Sequence, residues 1–319
     1  MRSLVFENSG MRFEERAKPE PGPGEALVRV SLAGICHTDL ELLKGYMNFS
    51  GVAGHEFVGV VEAAPHAAGL VGSRVVADIN IGCGSCPRCY SGDSRHCPSR
   101  RTLGIQGWDG AFAQYLLVPL ANIHLVPKAL DDHQAVFAEL LAAALEVGQQ
   151  VHILAGQKMA VLGDGKLGLL AALGLRHACP GLVLLGKHEQ NLAIAAKYGV
   201  TTAKVDEAEY LGPFDLLVEA TGSPDGLNQA LDLVRPEGTI VVKSTVEAKS
   251  SLDLGKMVVN EITLVGSRCG NLNLALKYLE TGLVDATDLI QAEYPMSEFK
   301  EAMAVAARPG ALKVLVRMA

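Results

Sequence analysis

Apolar and polar positions alternate in short runs through the first 127 residues, and the rhythm then changes. Ala26-Leu27-Val28-Arg29-Val30 and Phe57-Val58-Gly59-Val60-Val61 are compact runs separated by Gly and Pro clusters, the pattern of strands in a barrel-like β domain. From about Asp131 the texture differs: Ala135 to Val147 is rich in Ala and Leu and predicts a helix, after which strand-like and helix-like runs take turns. Strands are expected at Lys158 to Leu162, Leu182 to Leu185, Leu216 to Glu219, Thr239 to Val242 and Ile262 to Val265. Strands alternating with helices indicate a doubly wound parallel sheet. The tail returns to helix at Leu274 to Leu279 and Glu298 to Ala307 and ends in an apolar strand, Leu312 to Val316, expected to complete the first domain. The fold class is therefore α/β, with residues 1–135 and 275–319 forming one domain and 136–274 the other. No internal repeat interrupts this plan.

Composition narrows the partners. With 319 residues, 49% of them hydrophobic and 20% charged, the chain can bury two domain cores. Apolar runs such as Leu169 to Leu175 fall short of the roughly 18 residues a membrane span requires. A formal charge of −7 without a basic cluster offers no electrostatic footprint for nucleic acid. Neither membrane nor nucleic acid is expected as a partner; a small molecule is. No secretory signal is read at the start of the chain, so a cytoplasmic location with reduced thiols is expected.

Against that background the cysteine spacing carries chemistry. Cys83, Cys86, Cys89 and Cys97 fall within one loop rich in Gly and Pro, and thiolates at two-residue intervals can wrap one tetrahedral ion. This predicts a structural zinc site; two disulfides or unliganded thiols are the other readings. The remaining thiols, Cys179 and Cys269, are expected in the core. A second metal site is suggested by Gly34-Ile35-Cys36-His37-Thr38-Asp39 and Gly54-His55-Glu56, where a cysteine and a histidine from separate segments lie near a carboxylate.

The dinucleotide signal follows the strand ending at Leu162, where Gly163-Asp164-Gly165-Lys166-Leu167-Gly168 opens a helix from Leu169 to His177. Glycines there allow a tight turn and close approach of the backbone to a pyrophosphate facing the helix N-terminus. The end of the next strand decides which dinucleotide. An NAD site places Asp or Glu there for the ribose hydroxyls, whereas a 2′-phosphate requires that carboxylate gone and a cation nearby. Here the strand runs into Gly186, Lys187 and His188, which favours NADP with NAD possible; a shift of register could return Glu189 to the ribose.

Taken in order, the Cys-His-Thr-Asp run, the Gly-His-Glu triplet, the cysteine knuckle, the glycine loop and Glu219-Ala220-Thr221-Gly222 resemble the zinc-dependent medium-chain dehydrogenase/reductase superfamily from end to end. That resemblance implies a GroES-like β-barrel catalytic domain and a Rossmann domain, with the active site in the cleft between them. It implies one catalytic and one structural zinc and a small alcohol or carbonyl substrate, a secondary alcohol or polyol. A sensor of dinucleotides, or a lyase or dismutase that retains its cofactor, are the other readings.

By resemblance Cys36 and His55 are the first two catalytic zinc ligands. Phe137-Ala138-Glu139-Leu140 matches a Glu-Pro-Leu pattern, which makes Glu139 the expected third ligand, with Leu140 in place of Pro and Glu56 as the competitor. Asp39 resembles the carboxylate that fixes a ligand histidine, and Thr38 the hydroxyl that relays the substrate proton. Glu41 stands where many relatives complete the relay with histidine. His37 and Lys313 match pyrophosphate contacts, Thr221 and Gly222 lie by the adenosine, and Val265, Gly266 and Ser267 border the nicotinamide; Lys243, Ser244 and Thr245 are weaker candidates. Tyr46, Met47, Ile105, Gln106 and Trp108 fall near pocket positions. Relatives pair through the Rossmann sheet edge, so Val258 to Ser267 is expected to be an apolar edge strand in a homodimer or homotetramer.

Overall fold

A computed structural model describes residues 1–7, 10–245 and 251–318. They form two compact units, Met1–Glu139 with Leu272–Glu280 and Asp285–Ala319, and Leu140–Asn271 with Thr281–Val284. The sequence boundary at 135/136 thus falls before the structural one at 139/140, and the return at 274/275 falls after 271/272.

In the first unit one strand organises the rest. Glu25–Ile35 spans 11 residues and is buried along most of its length, because it has strands on both sides. Glu56–Ala63 runs antiparallel along one edge; Tyr115–Pro119 and then Lys313–Arg317 share the other. Among the described residues Arg74–Ala77, Ile123–Leu125 and Ile290–Pro295 complete a seven-stranded sheet. The register sets Gly34 opposite Glu56 and Ile35 opposite Val314, so three strand ends from distant parts of the chain arrive side by side. Below them Phe6, Phe112 and Phe299 are fully buried, with the Phe112 and Phe299 rings edge to face at 4.7 Å between centroids.

The second unit is a six-stranded parallel sheet: Met159–Leu162, Val183–Gly186, Thr201–Lys204, Phe214–Glu219, Val234–Val242 and Thr263–Gly266. Numbered one to six along the chain, these strands lie in the order 3-2-1-4-5-6. That is the doubly wound dinucleotide-binding order, in which two mononucleotide-binding halves meet beside the first strand. The first two strands are buried at every position, as parallel strands covered on both faces must be. Leu162, Leu185, Phe214, Leu217 and Ile240 share one apolar cluster. No helix among the described residues is long and apolar enough to cross a membrane.

Local chemistry explains where the sequence pattern misled. Thr201–Lys204 and Ile290–Pro295 are strands without a strong apolar run; both are outermost in their sheets, where little burial is demanded. The expected helix from Ala135 to Val147 is three pieces, Asp132–Ala135, Ala138–Leu145 and Val147–Gln150. Val258 to Ser267 is not one strand. Asp253 accepts the Lys256 amide and caps a helix, Leu254–Val259, and the edge strand starts only at Thr263 after a left-handed Glu261. Cys179 is buried as expected, but Cys269 is only partly covered, lying in the loop after the last strand rather than in the core.

Gly54, which precedes the His-Glu pair, has φ +94, and a Cβ there would meet the Phe112 ring at 2.7 Å. Gly54→Ala is expected to cost about 2–4 kcal/mol, from left-handed strain plus overpacking. Gly72→Ala, at φ +84 with nothing within 4 Å, should cost only the strain, about 1–2 kcal/mol. Urea unfolding of both variants checks this; equal losses would remove Phe112 as the cause.

Candidate functional site

The three adjacent strand ends carry a group of buried ionisable side chains. Cys36 follows the central strand and caps the helix His37–Leu43, while His55 immediately precedes the neighbouring strand and Glu56 opens it. One ligand atom from each of Cys36, His55 and Glu56 lies within 4.8 Å of the others. Glu139, the expected third ligand, is outside this triple, and its rival Glu56 is inside it. The cause is register: pairing sets Glu56 opposite Gly34, two residues from Cys36, whereas Glu139 reaches the region from the helix Ala138–Leu145.

Asp39 joins two of the three. Its Oδ2 accepts the Cys36 backbone N–H at 2.8 Å, and its Oδ1 lies 3.3 Å from His55 Nδ1, an ion-pair distance without hydrogen-bond alignment. Asp39 is fully buried and His55 nearly so. Burial alone would drive the imidazole toward neutrality, yet the negative groups at Asp39 and Cys36 outweigh it and hold its pKa well above the ordinary value. Glu139 moves the other way: burial pushes its carboxyl up to about 7, with His55 and Lys313 opposing and Glu56 and Asp78 reinforcing the rise. Thr38 Oγ1 is 3.9 Å from Cys36 Sγ, and Glu41 lies between His37 Nε2 at 3.5 Å and Lys44 Nζ at 2.8 Å.

Lys313 departs from its expected role. Its ammonium is fully buried and ion-paired with Glu56 Oε2, in a region its strand reaches by pairing with the central one. Gly34 makes room for this pair, since a Cβ there would stand 2.7 Å from Glu56 Oε2 and 3.2 Å from Lys313 Cδ. The other carboxylate oxygen, Glu56 Oε1, is buried without a hydrogen-bond partner. A buried carboxylate oxygen left unpaired is costly, and a cation shared with Cys36 and His55 would remove that cost. Thiolate, imidazole and carboxylate are donors that suit zinc. The residues fit a metal.

The sulfurs of Cys83, Cys86, Cys89 and Cys97 also lie within 4.8 Å of one another, and none is in a disulfide. Cys86 and Cys89 approach to 3.6 Å, and Cys97 Sγ accepts the Cys83 N–H at 3.4 Å. Hydrogen bonds from Ser85 pull the Cys83 thiol down to about 6. Four sulfur donors on a short loop suit a closed tetrahedral zinc site.

In the second unit each loop glycine has a distinct reason. Gly163 has φ +119, and a Cβ there would meet Ala220 O at 2.5 Å; a Cβ on Gly168 would meet Gly163 O at 1.9 Å. Gly165 has open space around it and is the N-cap of the helix Lys166–Leu175. The turn, the open approach and the close helix packing required by a pyrophosphate are all present. Lys166 and Leu167 begin that helix, half-buried.

At the adjoining strand end the structure reveals an acid that sequence reasoning passed over. Asp164 is buried; its Oδ2 accepts the N–H groups of Lys187 at 2.8 Å and His188 at 2.6 Å, and its Oδ1 lies 3.1 Å from His188 Nδ1. A side chain on Gly186 would collide with this carboxylate, its Cβ falling 2.6 Å from Oδ2. Glu189, the rival acid, pairs with Lys204, and Lys187 is exposed. Glu219 was likewise missed as an organiser: its Oε1 accepts Thr221 N–H, Thr221 O–H and Ser244 O–H at 2.6–2.9 Å, and Ser244 in turn accepts the Gly222 N–H at 2.8 Å. Only its place beside the Thr-Gly pair could have flagged it. Val265 is half-buried, Gly266 exposed and Ser267 buried at the last strand end. Trp108, expected near the substrate, donates its indole N–H to Leu117 O and has Arg101 over its ring at 4.3 Å.

Two family models match: the alcohol dehydrogenase GroES-like domain over residues 22–128, and the zinc-binding dehydrogenase domain over 167–283. The chain is 29% identical to a sorbitol dehydrogenase of Halalkalibacterium halodurans over 340 residues, 99% of each chain. It is 30% identical to an L-threonine 3-dehydrogenase of Streptomyces avermitilis over 348 residues, again 99% of each. Among solved structures, a dehydrogenase from Escherichia coli CFT073 complexed with NADH superposes with TM-score 0.89 at 26% identity, covering 99% of both chains. A zinc-binding dehydrogenase from Sinorhizobium meliloti bound to NADP gives TM-score 0.89 at 29% identity, covering 99% of this chain and 98% of that one.

Two substitutions separate the metal sites. Cys89→Ser is expected to remove about one zinc ion per chain and lower the melting temperature; unchanged metal content would exclude the four cysteines as ligands. Asp39→Asn should lower metal affinity or turnover by about 10–100-fold while leaving the cysteine-loop zinc in place, which metal analysis under a chelator gradient would reveal.

Proposed function

The chain belongs to the zinc-dependent medium-chain dehydrogenase/reductase superfamily, and from that premise we propose that it interconverts a secondary alcohol or polyol with its carbonyl, using zinc and preferring NADP(H) to NAD(H). The observation that carries the reading is the buried triple of Cys36, His55 and Glu56 with an unpaired oxygen on Glu56. Relatives described as sorbitol and L-threonine 3-dehydrogenases support the substrate class.

Cys36, His55 and Glu56 would hold the catalytic zinc, and Cys83, Cys86, Cys89 and Cys97 the structural one. When bound, the catalytic zinc supplies Lewis acidity that lowers the pKa of the substrate hydroxyl, and the nicotinamide takes the hydride. His55 would present Nε2 to the metal, because its Nδ1 faces Asp39. Asp39 orients both His55 and the Cys36 backbone, so one carboxylate sets the spacing of two ligands. Thr38, beside Cys36 Sγ, receives the hydroxyl proton on its Oγ1 and passes its own outward, with His37 and Glu41 next along the helix. Glu139 lies outside this triple and is buried close enough for His55, Glu56 and Lys313 to act on its charge. Lys313 partly neutralises Glu56.

For the cofactor, Gly163, Gly165 and Gly168 form the pyrophosphate turn. Gly186 and Lys187 receive the 2′-phosphate: the strand end lacks an acid side chain, Lys187 is exposed, and Glu189 is drawn off by Lys204. Asp164 shapes this turn by taking its backbone N–H groups.

Fluorescence titration with NADPH and NADH tests the preference: NADPH should bind about tenfold tighter, roughly 1.4 kcal/mol. Lys187→Ala should erase the difference while sparing NADH affinity. Equal or tighter NADH binding would transfer the ribose role to Asp164. Cys36→Ser should abolish turnover on a polyol panel while NADPH still binds; retained turnover would refute the catalytic metal.

A further inference from the structure

Lys243 follows the fifth strand of the parallel sheet and is buried. Its ammonium donates to Ala143 O at 2.7 Å, Arg268 O at 3.0 Å and Ser267 Oγ at 3.1 Å. An ammonium carries three protons, and each has an acceptor of good geometry. Two of the three acceptors belong to the turn that leaves the sixth strand; the other is a carbonyl in the last turn of the helix Ala138–Leu145, where the dipole favours a cation.

The same turn is fixed at three more points. Ser267 N–H donates to Val242 O at 3.0 Å, Gln150 Nε2 donates to Gly266 O at 3.3 Å, and Gly270 lies so close to the helix that a Cβ would meet Ala142 O at 1.9 Å. Lys243 stands among these anchors and binds the turn to the helix through a single buried charge.

Place in the sheet gives this arrangement its meaning. Ligands in doubly wound sheets lie outside the carboxyl ends of the strands, one mononucleotide to each half. In the 3-2-1-4-5-6 order the glycine loop and Gly186 belong to the first half, and Lys243 and Ser267 stand at the carboxyl ends of strands five and six in the second. We propose that Lys243 is a positioning residue for the nicotinamide half of the cofactor, holding the 266–268 turn in place through Ser267 and Arg268. This rests on the dinucleotide reading above. The adenosine half, served by the other end of the sheet, does not depend on Lys243.

Lys243→Met keeps the apolar stem and removes the three donors. The measurement compares NADPH with 2′-phospho-ADP-ribose, which lacks the nicotinamide, and NADH with ADP-ribose, by calorimetry on the full chain. NADPH and NADH should weaken by about tenfold, 1.4 kcal/mol, with the nicotinamide-free ligands unchanged. Ser267→Ala, which deletes one of the acceptors, should shift the same ratio in the same direction by less. A loss common to all four ligands, or no loss, would overturn the proposal; if Lys243→Met does not fold, an unchanged ratio in Ser267→Ala overturns it. A wild-type chain that binds none of the four would instead overturn the dinucleotide reading itself.

Discussion

Glu56 and Lys313 stand 257 residues apart in sequence and are joined by an ion pair with no exposure on either side. Removing two charges from water is costly, and the attraction repays it only when geometry and further partners are good. The sheet register supplies that geometry. The antiparallel pairing that sets Gly34 opposite Glu56 and Ile35 opposite Val314 also brings Cys36 and His55 within reach. The carboxylate that answers Lys313 with one oxygen leaves the other buried without a partner, facing the group formed with Cys36 and His55. The same pairing thus closes the first unit, neutralises its buried charge and gathers three side chains that could hold a metal.

Asp39 extends this economy. It is buried, bonded to the Cys36 amide and close to His55, so one side chain closes the helix start and also faces the buried imidazole. The region gathers the acidic side chains of Asp39, Cys36, Glu56 and Glu139 around His55 and Lys313. A bound divalent cation would change that balance; burial, more than the neighbouring charges, raises Glu139 to about 7.

In the second unit the governing constraint is backbone approach. Gly163 and Gly168 have no space for a Cβ, whereas Gly165 faces open space. At this end of the sheet, buried polar side chains satisfy loop groups that no strand can reach: Asp164 at the second strand, Glu219 with the half-buried Ser244 at the fourth and fifth, Lys243 at the fifth and sixth. Each fixes a loop at the carboxyl end of the sheet, so the strands provide the frame and these side chains the shape of its binding edge.

Much of this was legible in one dimension. Alternating strand and helix periods announced the parallel sheet; Gly163, Gly165 and Gly168 in a strand-turn-helix context announced the dinucleotide turn; and the Cys83-to-Cys97 spacing announced the sulfur cluster, because all of its ligands lie within one loop. Local spacing fixes what local geometry can bring together. The grouping of Glu56, rather than Glu139, with Cys36 and His55, the pairing of Lys313 with Glu56 and the burial of Asp164 against Gly186 were decided elsewhere. They depend on which strand lies beside which and in what register, and on whether a carboxylate that is acidic in any sequence finds N–H donors, a lysine or nothing once it is buried. Periodicity does not encode those distances; only the tertiary pairing of separate segments does, whether 23 residues apart, as for Asp164 and Lys187, or 257, as for Glu56 and Lys313.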